Sequence, residues 1–260
     1  ITASPTTEAE KEAYAKQFQK FHHGMHVAGL IAAKAGNGTR MAGVAGQANV
    51  ELHAAQLGAT MSNLANFARL VRAGARVVNL SFGATTPADA MAVAPTWGDL
   101  IQTLAANERN DFLAVFAGGN QAISARSQGL VGPLFDPSLP DYSRFEAARS
   151  RILVVGALDG DGRYANYSAL GRAVQIAAPG GGQACANWPA GGPNERHHYL
   201  WSQIANEVTD PDKTCRQTVN RSIRSLRYDE AFTTVLMSGT SQAAPLVSGA
   251  AALIFSAYPG

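Results

Sequence analysis

The chain has 260 residues, of which 46% are hydrophobic and 15% charged, and its formal net charge is +2. This composition supports a sizeable core and excludes wholesale disorder. The small net charge gives no indication of a nucleic-acid or membrane partner, and no stretch reaches the roughly 18 consecutive apolar residues of a membrane-spanning helix. We see no repeat, low-complexity tract or linker, so residues 1–260 are predicted to form a single domain.

Helical and strand-like patterns alternate along the chain. Residues 6–21 are predicted to be an amphipathic helix, because Tyr14, Phe18 and Phe21 form one apolar stripe. Further helical patterns lie at Met61–Ala73 and Asp99–Asn107, and apolar runs typical of buried strands lie at Val50–Leu57, Arg76–Phe82, Phe112–Ala117, Ile152–Ala157 and Ala173–Ala178. This alternation predicts an α/β fold with a mostly parallel central sheet and helices on both faces.

Two histidines open the first of two small-residue helices. The run His22-His23-Gly24-Met25-His26-Val27-Ala28-Gly29 is predicted to begin a helix that extends to about Ala33. An imidazole can act as a general base because its pKa lies near neutrality. His22 and His26 have the i,i+4 spacing of zinc ligands, but no Glu lies between them as in H-E-x-x-H, and no third ligand is evident. We therefore predict no metal there.

The run Gly239-Thr240-Ser241-Gln242-Ala243-Ala244-Pro245 is predicted to open the second such helix, which continues through the apolar stretch Leu246–Phe255. Unpaired backbone N–H groups and the positive end of the helix dipole favour negative charge near Ser241. We place Pro245 in the first turn, where its missing N–H would have no helical acceptor. Ser241 is then either a nucleophile or a helix N-cap.

A third motif supplies an amide. The predicted strand Phe112–Ala117 leads into Gly118-Gly119-Asn120, at the carboxyl end where parallel sheets carry their active groups. The Asn120 side chain can donate a hydrogen bond to an oxyanion.

Together these motifs resemble those of the subtilisin-like serine proteases (subtilases). Their H-G-T-H-V-A-G is matched by His23–Gly29 with Met25 in place of Thr, their G-T-S-M-A-A-P by Gly239–Pro245 with Gln242 in place of Met, and their A-A-G-N by Ala117–Asn120. Val78-Asn79-Leu80-Ser81-Phe82-Gly83 resembles the strand along which the family binds substrate. The matches occur in the family's order, from His23 to about Ala257.

The resemblance implies a three-layer subtilisin-like fold and a serine endopeptidase. Ser241 would be the nucleophile, His23 the general base and Asn120 the oxyanion donor. A peptide would pair with Ser81, Phe82 and Gly83, with Gly58–Ser62 as a second edge, and Ala117, Gly118 and Gly119 would line a pocket for apolar side chains. No cofactor is expected, and we predict no calcium in the loop of residues 34–40, because Lys34 and Arg40 oppose a cation.

The triad carboxylate is missing from this pattern. Family members carry an Asp upstream of the histidine, but no Asp precedes His23, and Glu8, Glu10 and Glu12 belong to the predicted amphipathic helix. Three explanations stay open. The first is an Asp-bearing strand on a separate fragment, or lost from a chain that looks short at both ends. The second is a degenerate subtilase that binds peptides without cleaving them. The third is substitution by one of the glutamates or by a residue not identified. A separate fragment or a pro-segment is accordingly a candidate partner.

Residues 180–234 depart from the core pattern and are predicted to be a loop-rich insertion. Cys185 and Cys215 both lie in it and are predicted to form a disulfide, which would place the protein in the periplasm, at the cell surface or outside the cell. Four arginines, Arg216, Arg221, Arg224 and Arg227, are predicted to lie on a solvated helix face. An α/β-hydrolase esterase is disfavoured because G-x-S-x-G is absent and no histidine follows Ser241.

Overall fold

The computed structural model describes residues 23–38, 42–84, 86–121, 129–139, 141–181, 200–204, 224–227 and 233–258. Four parallel strands form the central sheet in chain order: β1 (Val77–Leu80), β2 (Leu113–Ala117), β3 (Ile152–Leu158) and β4 (Ile176–Pro179). The helices are α1 (residues 23–32), α2 (Thr60–Arg72), α3 (Pro87–Ala105), α4 (Glu146–Arg149) and α5 (Thr240–Ala257). None of the helices in these ranges is long and apolar enough to cross a bilayer.

Side chains alternate along each strand and therefore build a core on both faces of the sheet. On one face, Phe112 and Phe116 of the β2 segment pack with Phe67 of α2 and Trp97 of α3, with edge-to-face ring pairs at 5.6–5.8 Å. On the other face, Val115 and Ala117 pack against Ala243, Ala244 and Val247 of α5. The three-layer α/β fold with a parallel sheet is confirmed.

A second sheet begins in the predicted insertion and extends beyond its predicted end at residue 234. Strands β5 (Leu200–Ile204), β7 (Thr233–Met237) and β6 (Arg224–Arg227) pair antiparallel in that order. Strand β7 ends two residues before Gly239, so this sheet leads the chain directly into the start of α5. The predicted helix face for the arginines is wrong for Arg224 and Arg227, which lie in β6, while Arg216, Arg221, Cys185, Cys215 and the predicted helix over residues 6–21 fall outside the described ranges.

Two other predicted elements differ from the structure. Helix α3 begins at Pro87, not Asp99: Thr86 and Asp89 form a reciprocal capping box, and the helix then runs through Pro95. The predicted strand Val50–Leu57 is not a strand in the described chain, and Leu52 and Leu57 are 46% and 55% exposed. A run with strand-like composition needs a neighbouring strand to pair with, and in the described part of the chain none lies beside it.

Candidate active site

Helix α5 begins at Thr240, after Gly239 with φ of 154°, and Ser241 is its second residue. A Cβ on Gly239 would lie 2.8 Å from Gln242 Oε1 and 3.2 Å from Asn120 Nδ2, so this position has no room for a side chain. Pro245 is the sixth helical residue, which corrects its predicted place in the first turn. Because proline has no N–H, the Ser241 carbonyl lacks its ordinary i+4 partner in the helix.

The Asn120 amide is held in one orientation. Its Oδ1 accepts hydrogen bonds from the Thr240 N–H at 2.9 Å and from Thr240 Oγ1 at 2.8 Å. A backbone N–H can only donate, so the atom that faces it must be the amide oxygen. The Asn120 Nδ2 is therefore left to donate next to Gly239, where a Cβ would lie 3.2 Å from it, and Asn120 itself is exposed.

Thr240 is the residue that sequence reasoning overlooked. It is 1% exposed, and besides contacting Asn120 its Oγ1 accepts a hydrogen bond from Gly119 N at 3.1 Å. The only sequence signal was its place between Gly239 and Ser241, inside the serine motif. The side chain thus connects the end of β2 to the start of α5.

Ser241 also contacts the predicted substrate strand. Its Oγ donates to the Ser81 carbonyl at 3.1 Å, and Ser81 Oγ donates back to the Ser241 carbonyl at 2.9 Å. Ser81 and Phe82 directly follow β1, and Phe82 packs edge-to-face on Trp97. In the described conformation the Ser241 hydroxyl proton is therefore directed to Ser81 and not to His23.

The Ala117-Gly118-Gly119 segment is fixed by its backbone. Gly118 N donates to Val155 O and the Gly119 carbonyl accepts from Ala169 N, both at 2.9 Å. A Cβ on Gly118 would lie 3.0 Å from Val155 O, and Gly119 has φ of 113°. Both features favour glycine beside Asn120.

His23 lies in the described part of α1 and is half-buried. Burial lowers the pKa of His23 below its ordinary value near 6.5, because desolvation disfavours the imidazolium. His26 in the same helix is fully buried, and His22 lies outside the described residues. Among the described residues, no group of three or more His, Cys, Asp or Glu side chains is placed to hold a metal ion.

The two departures from the family motifs differ in environment. Gln242 is 2% exposed, and its amide nitrogen lies 3.8 Å from the Met237 sulfur. Met25 is 40% exposed.

The predicted second substrate edge at Gly58–Ser62 is wrong as an extended strand, since Thr60 begins α2 and both backbone groups of Gly58 bond to the Asn63 side chain.

Comparison with known proteins defines the class. The model of the Subtilase family matches residues 4–260, so the chain belongs to this family of serine peptidases. It is 30% identical to mycosin-3 of Mycobacterium tuberculosis over 199 residues (72% of this chain, 36% of that protein) and 26% identical to subtilisin DY of Bacillus licheniformis over 243 residues (91% and 64%). A protease structure from Pseudoalteromonas arctica is 25% identical with a TM-score of 0.60, covering 91% of this chain and 59% of the other. The chain thus spans less than two thirds of each relative.

Proposed function

We propose that the chain is the catalytic part of a serine endopeptidase. Ser241 attacks the peptide carbonyl, His23 takes its proton and later donates it to the leaving amine, and an ester to Ser241 forms as the amine departs. Asn120 Nδ2 and the Ser241 N–H hold the oxyanion. The orientation of the Asn120 amide, which Thr240 fixes at the start of α5, is the observation that carries this proposal.

The packing of α1 against α5 supports the role of His23. A Cβ on Gly249 of α5 would lie 3.4 Å from the Ile31 carbonyl of α1, so these two positions are in contact. His23 precedes Ile31 by eight residues, and Ser241 precedes Gly249 by eight residues. At 1.5 Å per residue each lies about 12 Å from the contact along its helix axis. We propose that the two helices run in the same direction from this contact, which would bring His23 and Ser241 to the same level.

Substrate binding follows from the Ser81 carbonyl. A peptide that pairs as an added strand with Ser81, Phe82 and Gly83 donates its N–H groups to that backbone. Such an N–H competes with the Ser241 hydroxyl for the Ser81 carbonyl. When the N–H displaces the hydroxyl, the Ser241 hydroxyl can turn toward His23. The segment Ala117–Gly119, with no side chain larger than methyl, leaves room for an apolar substrate group.

We propose that the carboxylate that orients His23 comes from a segment beyond those described. Strand β1 pairs with β2 on one side only among the described strands, and residues 50–57, all exposed except Val50, pair with no described strand. We propose that an Asp-bearing strand from elsewhere in the natural protein, or from a separate fragment, pairs with the open edge of β1. The Cys185–Cys215 disulfide and a location outside the cytoplasm belong to the same proposal.

Hydrolysis of an internally quenched peptide with apolar side chains tests the proposal. The natural protein is compared with His23→Ala, Ser241→Ala and Ser138→Ala, the last removing an exposed hydroxyl that donates to Asp136. We expect the first two variants to lose turnover about 10⁴-fold or more, while Ser138→Ala keeps it. Tight binding without cleavage by the natural protein would instead support the peptide-binding scaffold.

A further inference from the structure

Pro245 leaves the carbonyl of the nucleophilic serine without a helical donor. In an α-helix the carbonyl of residue 241 accepts from the N–H of residue 245, which here is proline. Ser81 Oγ occupies that position and donates to the Ser241 carbonyl at 2.9 Å. The start of α5 is therefore tied to the end of β1 by a side chain that replaces a missing backbone bond.

The Ser81 hydroxyl is itself positioned by an asparagine. Asn79 Nδ2 donates to Ser81 Oγ at 2.9 Å, and Asn79 Oδ1 accepts from Ser248 Oγ at 3.0 Å. Ser81 and Ser248 are 8% and 1% exposed. Ser248 Oγ also lies 3.1 Å from the Ala244 carbonyl, so its one proton is shared between Ala244 and Asn79. From Asn79 the donors point in one direction, through Ser81 to the Ser241 carbonyl, and hydrogen bonds aligned in this way strengthen one another.

Position 79 needs an amide for this arrangement. Val78 and Leu80 of β1 face the core shared with α2 and α3, so Asn79 faces α5, where packing alone would favour an apolar residue. The amide offers a donor to one serine and, from a separate atom, an acceptor to the other. Aspartate keeps the acceptor but loses the donor, and leucine has neither.

We propose that Asn79 is a positioning residue for Ser241, acting through Ser81 and supported by Ser248. It touches no substrate. By fixing the Ser81 proton on the Ser241 carbonyl, it sets the first turn of α5 and therefore the direction of the Ser241 hydroxyl and N–H. The catalytic role of Asn79 rests on the proposed function, whereas the series of hydrogen bonds that it joins does not.

Two measurements on the natural protein test this role. The first is a double-mutant cycle in chemical unfolding with Asn79→Leu, Ser81→Ala and the double variant. The second is the kcat and KM of peptide hydrolysis for the same proteins and for Asn79→Asp. Gln175→Leu is the matched control. The Gln175 amide also links two polar groups, Val154 N and Ile152 O, but near the amino-terminal end of β3, away from the candidate active site.

Asn79→Asp loses the donor to Ser81, and Asn79→Leu loses both side-chain hydrogen bonds. We expect each variant to lower kcat about threefold to tenfold, because each loses the bond to Ser81, with KM nearly unchanged. Adding Ser81→Ala should lower kcat little further, and the two sites should be coupled in unfolding. Gln175→Leu should lose stability and keep kcat. Additive unfolding effects of residues 79 and 81 would overturn the hydrogen-bond chain. Coupled unfolding effects with an unchanged kcat would overturn the positioning role alone. If the natural protein hydrolyses no peptide, the proposed function is refuted, and the double-mutant cycle still tests the series of hydrogen bonds.

Discussion

Replacing Thr240 with valine should separate the oxyanion donor from the rest of the active site. Valine has the shape of threonine, so the buried position is filled and no cavity forms. The change removes two hydrogen bonds, from Gly119 N at 3.1 Å and to Asn120 Oδ1 at 2.8 Å. We expect the free energy of unfolding to fall by about 1–2 kcal/mol, since the Gly119 N–H loses its acceptor.

The effect on catalysis follows from what remains. Asn120 Oδ1 keeps the hydrogen bond from Thr240 N but loses the one from Thr240 Oγ1, the atom that also bonds Gly119 N. The Asn120 amide is then held by one bond, and its donor is less well aligned with the oxyanion. Acylation by a chromogenic ester should slow about threefold to tenfold. Thr240→Ser keeps the hydroxyl and should acylate at nearly the natural rate. Acylation by Thr240→Val at the natural rate, in a protein measurably less stable, would refute the argument that Thr240 aims Asn120.

Four further outcomes are expected. Asn120→Asp accepts the same bonds from Thr240 but replaces the donor by an acceptor, so folding should persist while acylation falls about 10²–10³-fold, a magnitude measured on a subtilisin and adopted here; a variant as fast as the natural protein would contradict the assigned donor. Because burial lowers the pKa of His23, the neutral base persists below pH 6.5, and the acid limb of acylation by this chain should have its midpoint below that value; a midpoint at or above 6.5 would contradict it. Hydrogen bonds from Arg76 and Arg151 lower the pKa of Asp111. This carboxylate therefore stabilises the fold above its unfolded pKa of 3.8, and the contribution is lost as pH falls through the lower folded pKa. Asp111→Asn should lower the free energy of unfolding by about 1 kcal/mol or less at pH 7, and a difference that persists at pH 2 would argue against the ion pairs. Gly98→Ala would place a Cβ 2.5 Å from Phe145 Cδ1 and should lower the free energy of unfolding by about 1–3 kcal/mol, and a variant of natural stability would show that Phe145 moves freely.

Sequence patterns predicted the parts of the fold that depend on local burial. The strands β2 and β3 and helix α2 differ from their predicted bounds by one residue at each end or less, because a run buried on both faces has few alternatives. Helix α3 was predicted to start too late, since Pro87 and Pro95 obscured a capped beginning. Residues 50–57 have the composition of a strand, but pairing depends on a neighbour that composition does not reveal.

The site shows the same division. The residue types of Ser241, His23 and Asn120 indicated their chemistry, and the family resemblance supplied the order. Neither could reveal that Thr240 fixes the Asn120 amide, or that Ser81 replaces the hydrogen bond that Pro245 cannot make. Those contacts join residues more than one hundred positions apart in the chain, and only the tertiary fold brings them together.

The central claim is that the Ser241 hydroxyl is a nucleophile beside an imidazole and an oriented amide. Its most direct test is the intact mass of the natural protein after exposure to a biotin-fluorophosphonate, followed by peptide mapping of the adduct. We predict one adduct per chain, located on Ser241, that Ser241→Ala abolishes and His23→Ala slows greatly. If the mass of the protein is unchanged after reaction with saturating probe at neutral pH, or if the adduct lies on another residue, the account is contradicted.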